Sequence, residues 1–319
     1  MPDMTRIATR EAYGKALAEL GALNEKVVVL DADLAEATKT LYFKKAFPDR
    51  FFDCGIAEQN LVSVAAGLAA CGKIPFASSF AMFAAGRAFE QVRNAVGYPH
   101  LNVKICATHA GVSVGEDGAT HQCLEDLALM RSIPGMVVMN PSDAVQARAA
   151  VFAAAQYDGP VYIRFGRLPV PVFYDPDTYK LEIGRANVLS QGSSVTLISI
   201  GMMLENTLAA AEILRNDGFS VGVIDMHTVK PLDADAVINA ANDSGALVTV
   251  EEHNFIGGLG GAVCELVSEY APVPVVRVGV HDTFGKSGKG AELIDAFGLG
   301  VPDIVAAARK AISIKEMRN

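Results

Sequence analysis

No Cys-x-x-Cys pair occurs in the 319 residues, and the five cysteines (Cys54, Cys71, Cys106, Cys123, Cys264) show no metal-site spacing. The thiols are therefore expected to be reduced and mostly core residues of a cytoplasmic protein. Long basic runs are also absent. Lys and Arg total 27 against 36 Asp and Glu, a net charge of −9, which argues against nucleic acid as a partner. Any phosphate must then be held by individual arginines. The start, Met1-Pro2-Asp3-Met4-Thr5, has no apolar signal core, and no apolar segment is long enough to span a bilayer.

What the chain does have is apolar residues, 51% of the total, which fits parallel sheets buried on both faces or a large subunit interface. The length suggests two domains. Short apolar runs at 27–30, 74–80, 102–108, 136–139 and 160–163 are expected strands of a first α/β domain, residues 1–170. Helices are expected from Thr9 to Leu20, from Phe80 to about Val96, and after the Pro141-Ser142-Asp143 cap to about Gln156. Residues 171–193, rich in Pro, Asp, Gly and Ser, read as a linker. Strands at 195–200, 221–224, 247–251 and 275–278 then build a smaller α/β domain, residues 194–319.

Two stretches carry chemistry. Asp53-Cys54-Gly55-Ile56-Ala57-Glu58-Gln59-Asn60 feeds an apolar helix with a carboxylate in its first turn. Taken alone, Glu58 is equally well explained as a complement to the positive end of the helix dipole. The second stretch runs Thr108-His109-Ala110-Gly111-Val112-Ser113-Val114-Gly115-Glu116-Asp117-Gly118-Ala119-Thr120-His121-Gln122. Its two histidines and aspartate could suggest a metal site, but no residue is assigned as a metal ligand.

Both stretches resemble transketolases. Gly55 to Asn60 is similar to the glutamate motif of thiamine-diphosphate enzymes, and Thr108 to Gln122 resembles the transketolase sugar-binding segment almost letter for letter. The likeness runs from about residue 7 to the C-terminus and matches the second half of a full-length transketolase. It implies a pyrimidine-binding domain, with a parallel sheet flanked by helices, followed by the smaller transketolase C-terminal domain. It also implies that Glu58 activates the cofactor pyrimidine, and that Phe80 and Phe83 pack on that ring. Asp33 lines the cofactor and substrate site, although an Asp capping the next helix is its rival reading. By the same resemblance Arg10 grips a sugar phosphate and His109 contacts the phosphate or distal hydroxyls. Asp117 binds the hydroxyl beside the ketose carbonyl, and His121 acts at that carbonyl. Arg164, or in a neighbouring register Arg167, completes the phosphate site. An apolar setting is expected to keep Glu58 protonated and able to donate.

Two departures matter. Ala37 stands where the family usually carries a phosphate-binding serine, which opens the site to a modified sugar. The Gly-Asp-Gly motif that holds the diphosphate and Mg²⁺ is absent. The resemblance therefore implies an N-terminal partner subunit that holds most of the cofactor and the Mg²⁺, in an α2β2 assembly. The glycine run after Glu251-Glu252-His253 invites a nucleotide reading, which the family likeness disfavours. Rival readings are a 2-oxo acid dehydrogenase β subunit, a deoxyxylulose-phosphate synthase, and a non-catalytic regulatory subunit of the same fold.

Overall fold

The computed structural model describes residues 4–318. The first domain is built on a seven-stranded sheet in the order Thr228–Lys230, Val137–Met139, Val161–Phe165, Lys104–Thr108, Ile74–Phe80, Val27–Asp31, Phe51–Asp53. All neighbours pair in parallel except the first, which is antiparallel. The strands read as unbroken apolar runs because helices cover both faces, as parallel crossovers require. Four of the expected strands are found within two residues of the predicted ends, and Ile74–Phe80 is matched at both ends.

Three features differ from expectation. The outermost strand, Thr228–Lys230, comes from the second half of the chain and pairs with Val137–Met139. Residues 171–193 are more than a linker, since Asn187–Ser190 forms an antiparallel edge of the second sheet. The segment after Phe80 is helical to Gly97, but two wide π-type turns, Met82–Arg87 and Val92–Gly97, interrupt it. Such turns add a residue to the helical repeat and recur at functional sites.

The second sheet runs Val275–Val280, Leu247–Asn254, Val195–Ser199, Val221–Asp225, Asn187–Ser190, parallel apart from its last strand. One buried apolar cluster joins the domains, running from Leu30, Leu61 and Ala107 to Ile200, Met226 and Leu259. Among the described residues, no helix is long and apolar enough to cross a membrane.

The glycine run has a local explanation. Glu251 accepts from the backbone N–H of Leu259 (2.7 Å) and Gly260 (2.8 Å), so a carboxylate already fills the N-terminus of helix Leu259–Tyr270. A Cβ at Gly258 would lie 2.0 Å from that carboxylate. The glycines admit Glu251, and the helix end has no vacancy for a nucleotide phosphate.

Candidate active site

The site forms where the parallel strands end, the edge at which open α/β sheets bind ligands. Phe80 closes Ile74–Phe80 and is buried, and Phe83 follows in the first wide turn. Their rings lie 6.2 Å apart and nearly parallel. His109 packs on Phe80 at 4.0 Å between ring centres, and His121 meets Phe83 edge-on at 5.2 Å. The Arg87 guanidinium lies 4.5 Å above the Phe83 ring.

Arg87 leads to Glu58. Glu58 opens helix Glu58–Ala70 and is 1% exposed, while Arg87 Nη1 donates to its Oε2 at 2.8 Å. The expected apolar setting is thus only partial, because Oε2 acts as an acceptor from a half-exposed guanidinium. Arg87 was not anticipated as a site residue. The signal was available in its place four residues after Phe83, on the same helical segment.

Strand ends present the remaining groups through strained backbone. Asp33 (φ +61) and His109 (φ +58) both adopt the left-handed conformation, which is costly away from glycine and clusters at active sites. Asp33 is exposed and does not cap the helix Ala35–Thr38; the turn before that helix is held by Asp31. Asp31 Oδ1 accepts from the Leu34 N–H at 2.6 Å, and its Oδ2 accepts from Thr38 (2.7 Å) and Thr40 (2.8 Å). Burial outweighs these bonds and pushes Asp31 up to about 6.

Arg10 sits in the second position of helix Thr9–Leu23, held where Thr9 Oγ1 accepts from the Gly166 N–H at 2.8 Å. Arg10 Nη1 donates to Ala37 O at 2.9 Å and contacts His109 Nε2 at 3.0 Å. A guanidinium has no acceptor, so Nε2 is the acceptor and the proton belongs on Nδ1, 2.8 Å from Thr108 Oγ1. Burial, then Arg10, Arg167 and Lys39, hold His109 down to about 3. Both ring nitrogens of His109 are therefore engaged within the protein. The buried Nε of Arg10 has no partner.

Arg164 does not reach this site. It is 3% exposed, its Nε pairs with Asp126 at 3.0 Å, and its Nη2 donates to Glu252 O at 2.8 Å. A guanidinium buried and engaged in this way is already occupied within the protein, whereas Arg167, its rival in the sequence, lies beside the loop that carries Asp117. Arg167 is partly exposed, bonds Val114 O, and lies 3.9 Å from Asp117 Oδ2. It also depresses Arg10, with burial the larger cause, which places the two cations near one another. Asp117 is exposed on its loop, and His121 is half-buried with Nδ1 3.0 Å from Thr120 Oγ1. Among the described residues, no group of three or more His, Cys, Asp or Glu could hold a metal ion.

A cavity of about 900 Å³ adjoins the aromatic pair, lined in part by Met82, Phe83, Arg87 and Thr120, and by Thr283 and Phe284 of the second domain. That volume lies at the upper end of small-molecule sites. Several apolar side chains nearby in sequence are exposed, Phe52, Ile56 and Val64 among them, with Ile56 at 78%.

Comparison with known proteins accounts for both domains. Residues 5–171 match the family described as "Transketolase, pyrimidine binding domain", and residues 184–304 match "Transketolase, C-terminal domain". A "Putative transketolase C-terminal section" of Methanocaldococcus jannaschii is 49% identical, over 91% of this chain and 92% of that one. A "6-deoxy-6-sulfo-D-fructose transketolase subunit SqwH" of a Clostridium species is 43% identical, over 97% and 96% respectively. Human transketolase is 40% identical over 97% of this chain, which spans about half (49%) of the human protein. Among solved structures, a split-gene transketolase described as an inactive β4 tetramer superimposes with TM-score 0.91 at 55% identity, covering 97% of this chain and 99% of that one. The chain belongs to the thiamine-diphosphate-dependent transketolase family and corresponds to the C-terminal section of a split transketolase.

Proposed function

We propose that this chain is the pyrimidine-side subunit of a two-chain transketolase that moves a two-carbon ketol unit from a ketose with an anionic terminus to an aldose. The observation that carries the reading is the convergence of His109, His121 and the Arg87–Glu58 pair on the Phe80 and Phe83 rings. The residues fit the cofactor's pyrimidine: a buried carboxyl is joined through Arg87 to the flat face of Phe83, and Arg87 and Phe83 both line a cavity large enough for a heterocycle.

Thiamine diphosphate, when bound, supplies the nucleophilic carbon and the electron sink for cleaving a bond next to a ketone. Glu58 would hold a proton at the pyrimidine ring nitrogen, and Phe80 and Phe83 would pack against the ring. Asp33 lines the approach from its strained turn. Asp117 and His121 would bind the hydroxyls and carbonyl at the reacting end of the sugar. Arg10 and Arg167 would hold the anionic far end, with His109 serving to orient Arg10. Ala37 supports a change at that end: it offers no hydroxyl, and its carbonyl is occupied by Arg10. The relative named for a sulfo-sugar makes a sulfonate as reasonable a terminus as a phosphate. The missing Gly-Asp-Gly motif supports an N-terminal partner that carries the diphosphate and Mg²⁺, in an α2β2 assembly. Exposed Ile56 and Val64 beside Glu58 suit such an interface.

The test is a two-carbon transfer assay with thiamine diphosphate and Mg²⁺, using ketose phosphates and a sulfo-ketose, on this chain alone and with its N-terminal partner. Transfer is expected only in the mixture, and Glu58→Ala is expected to reduce it at least about a hundredfold. Full turnover of the Glu58→Ala complex would exclude the catalytic assignment.

A further inference from the structure

The sugar-binding loop belongs to the first domain, yet part of its support comes from the far end of the chain. The Gln122 side-chain amide donates across the loop to Val112 O and Gly115 O, both at 3.2 Å, and to Lys286 O at 2.9 Å in the second domain. Glu252, also from the second domain, accepts from the Ser113 N–H at 2.5 Å. The approach is close enough to demand glycine. A Cβ at Gly285 would lie 1.8 Å from Gln122 Oε1, and one at Gly290 would lie 2.6 Å from Ser113 O. Thr283, Phe284 and Gly285 continue as a wall of the same cavity that Phe83 and Thr120 line.

Within the loop the backbone is held by short turn bonds, such as Gly118 N–H to Gly115 O at 3.1 Å and His121 N–H to Gly118 O at 3.0 Å. It turns left-handed at Gly111, Gly115 and Gly118, and its one short helical segment, Val112–Asp117, is kinked at Gly115. Asp117 and His121 thus take their positions from these turns together with the contacts that fasten the loop to the second domain. We propose that the 282–290 segment of the C-terminal domain is a clamp for sugar recognition. Gln122 and Gly285 act in it as positioning residues that fix Asp117 and His121. The proposal rests on the reading that those two residues bind the ketose, and it gives the C-terminal domain a part in substrate selection.

The variants are Gln122→Ala, Gly285→Ala and the double variant. In the lone chain, amide hydrogen exchange across 112–121 should rise in each single variant, with the thermal midpoint monitored to separate loop release from unfolding. In the assembled enzyme each single variant should raise KM for the ketose donor about tenfold, leaving thiamine diphosphate affinity within about twofold. Truncating Gln122 removes the two closest contacts of the new methyl group at 285 and leaves only the Cβ of residue 122, at 3.2 Å, so the double variant should lose less than the sum of the two single losses. Additive losses, or a loop whose exchange does not change, would overturn the clamp. Faster exchange with unchanged KM in an active complex would overturn its role in recognition. If the complex carries out no ketol transfer at all, the functional reading fails, while exchange in the lone chain still decides whether the clamp exists.

Discussion

Neutral histidine and charged arginine make an unusual pair, and His109 shows how the fold enforces it. Its ring is buried, Arg10 supplies a donor to Nε2, and three cations suppress protonation. With its pKa held to about 3, His109 should show no ring titration by NMR between about pH 5 and 9, and Nδ1 should carry the proton throughout. A midpoint near 6.5 would mean that the Arg10 contact does not persist in solution. The two arginines of the Arg164-Phe165-Gly166-Arg167 exit make a sharper contrast. Arg164→Ala would leave Asp126 buried without its cation, so a loss of about 3–5 kcal/mol in stability is expected. Arg167→Ala should leave the unfolding midpoint within a few degrees and raise KM for an anionic ketose roughly 10- to 100-fold. Denaturation and steady-state kinetics on the two variants separate a structural arginine from a binding one. The reverse pattern would restore Arg164 to the site.

At the scale of elements, the sequence makes the strands visible and hides what packs across them. Val27–Asp31 and Ile74–Phe80 are readable because a sheet covered on both faces needs only apolar, β-branched runs. The assignments of Glu58, Asp117 and His121 rest on contiguous motifs that sequence alone displays. The Arg87–Glu58 bond, the engagement of Arg164 and the crossing of Thr228–Lys230 into the first sheet depend on partners at least 29 residues away. No local pattern records these distant partners, although the Phe83 spacing marks Arg87 itself. Lys104 is a further case, a lysine at the start of a central strand, fully buried, donating to Tyr157 O (2.8 Å) and Gly159 O (2.7 Å). Burial holds it down to about 7. Between about pH 7 and 10.5 the unfolded chain binds the proton that the folded chain has lost, so this residue makes stability rise with pH there. Lys104→Met should flatten that rise in urea denaturation measured across the range. An unchanged slope would show that Lys104 stays charged in the fold.

At the scale of the whole molecule, the two domains are interlocked in a way that two consecutive α/β units need not be. The second half of the chain lends an edge strand to the first sheet, and one apolar cluster runs through both. A buried polar junction sits between them. Asp225, at the end of a second-domain strand, accepts from Ser142 (2.5 Å) and Gln146 (2.9 Å) of the first domain and from Tyr174 (2.6 Å) of the connecting segment. Chains of this size commonly unfold domain by domain, because interdomain contacts are usually weak beside each core. Here the first sheet cannot keep its edge strand unless the second domain is folded, so opening either unit exposes core of the other. Calorimetry of the lone chain should therefore give one transition, with calorimetric and van't Hoff enthalpies in agreement. Asp225→Ala removes the acceptor of Ser142, Gln146 and the partly buried Tyr174; Gln146 keeps Tyr179 as a partner, but the buried Ser142 hydroxyl loses its acceptor at a cost of about 1–3 kcal/mol, so the midpoint should fall. If the interlock holds, that transition stays single, because the shared strand and core remain. If the parent protein already melts in two steps, the halves are independent units, and the crossing strand is only a surface contact.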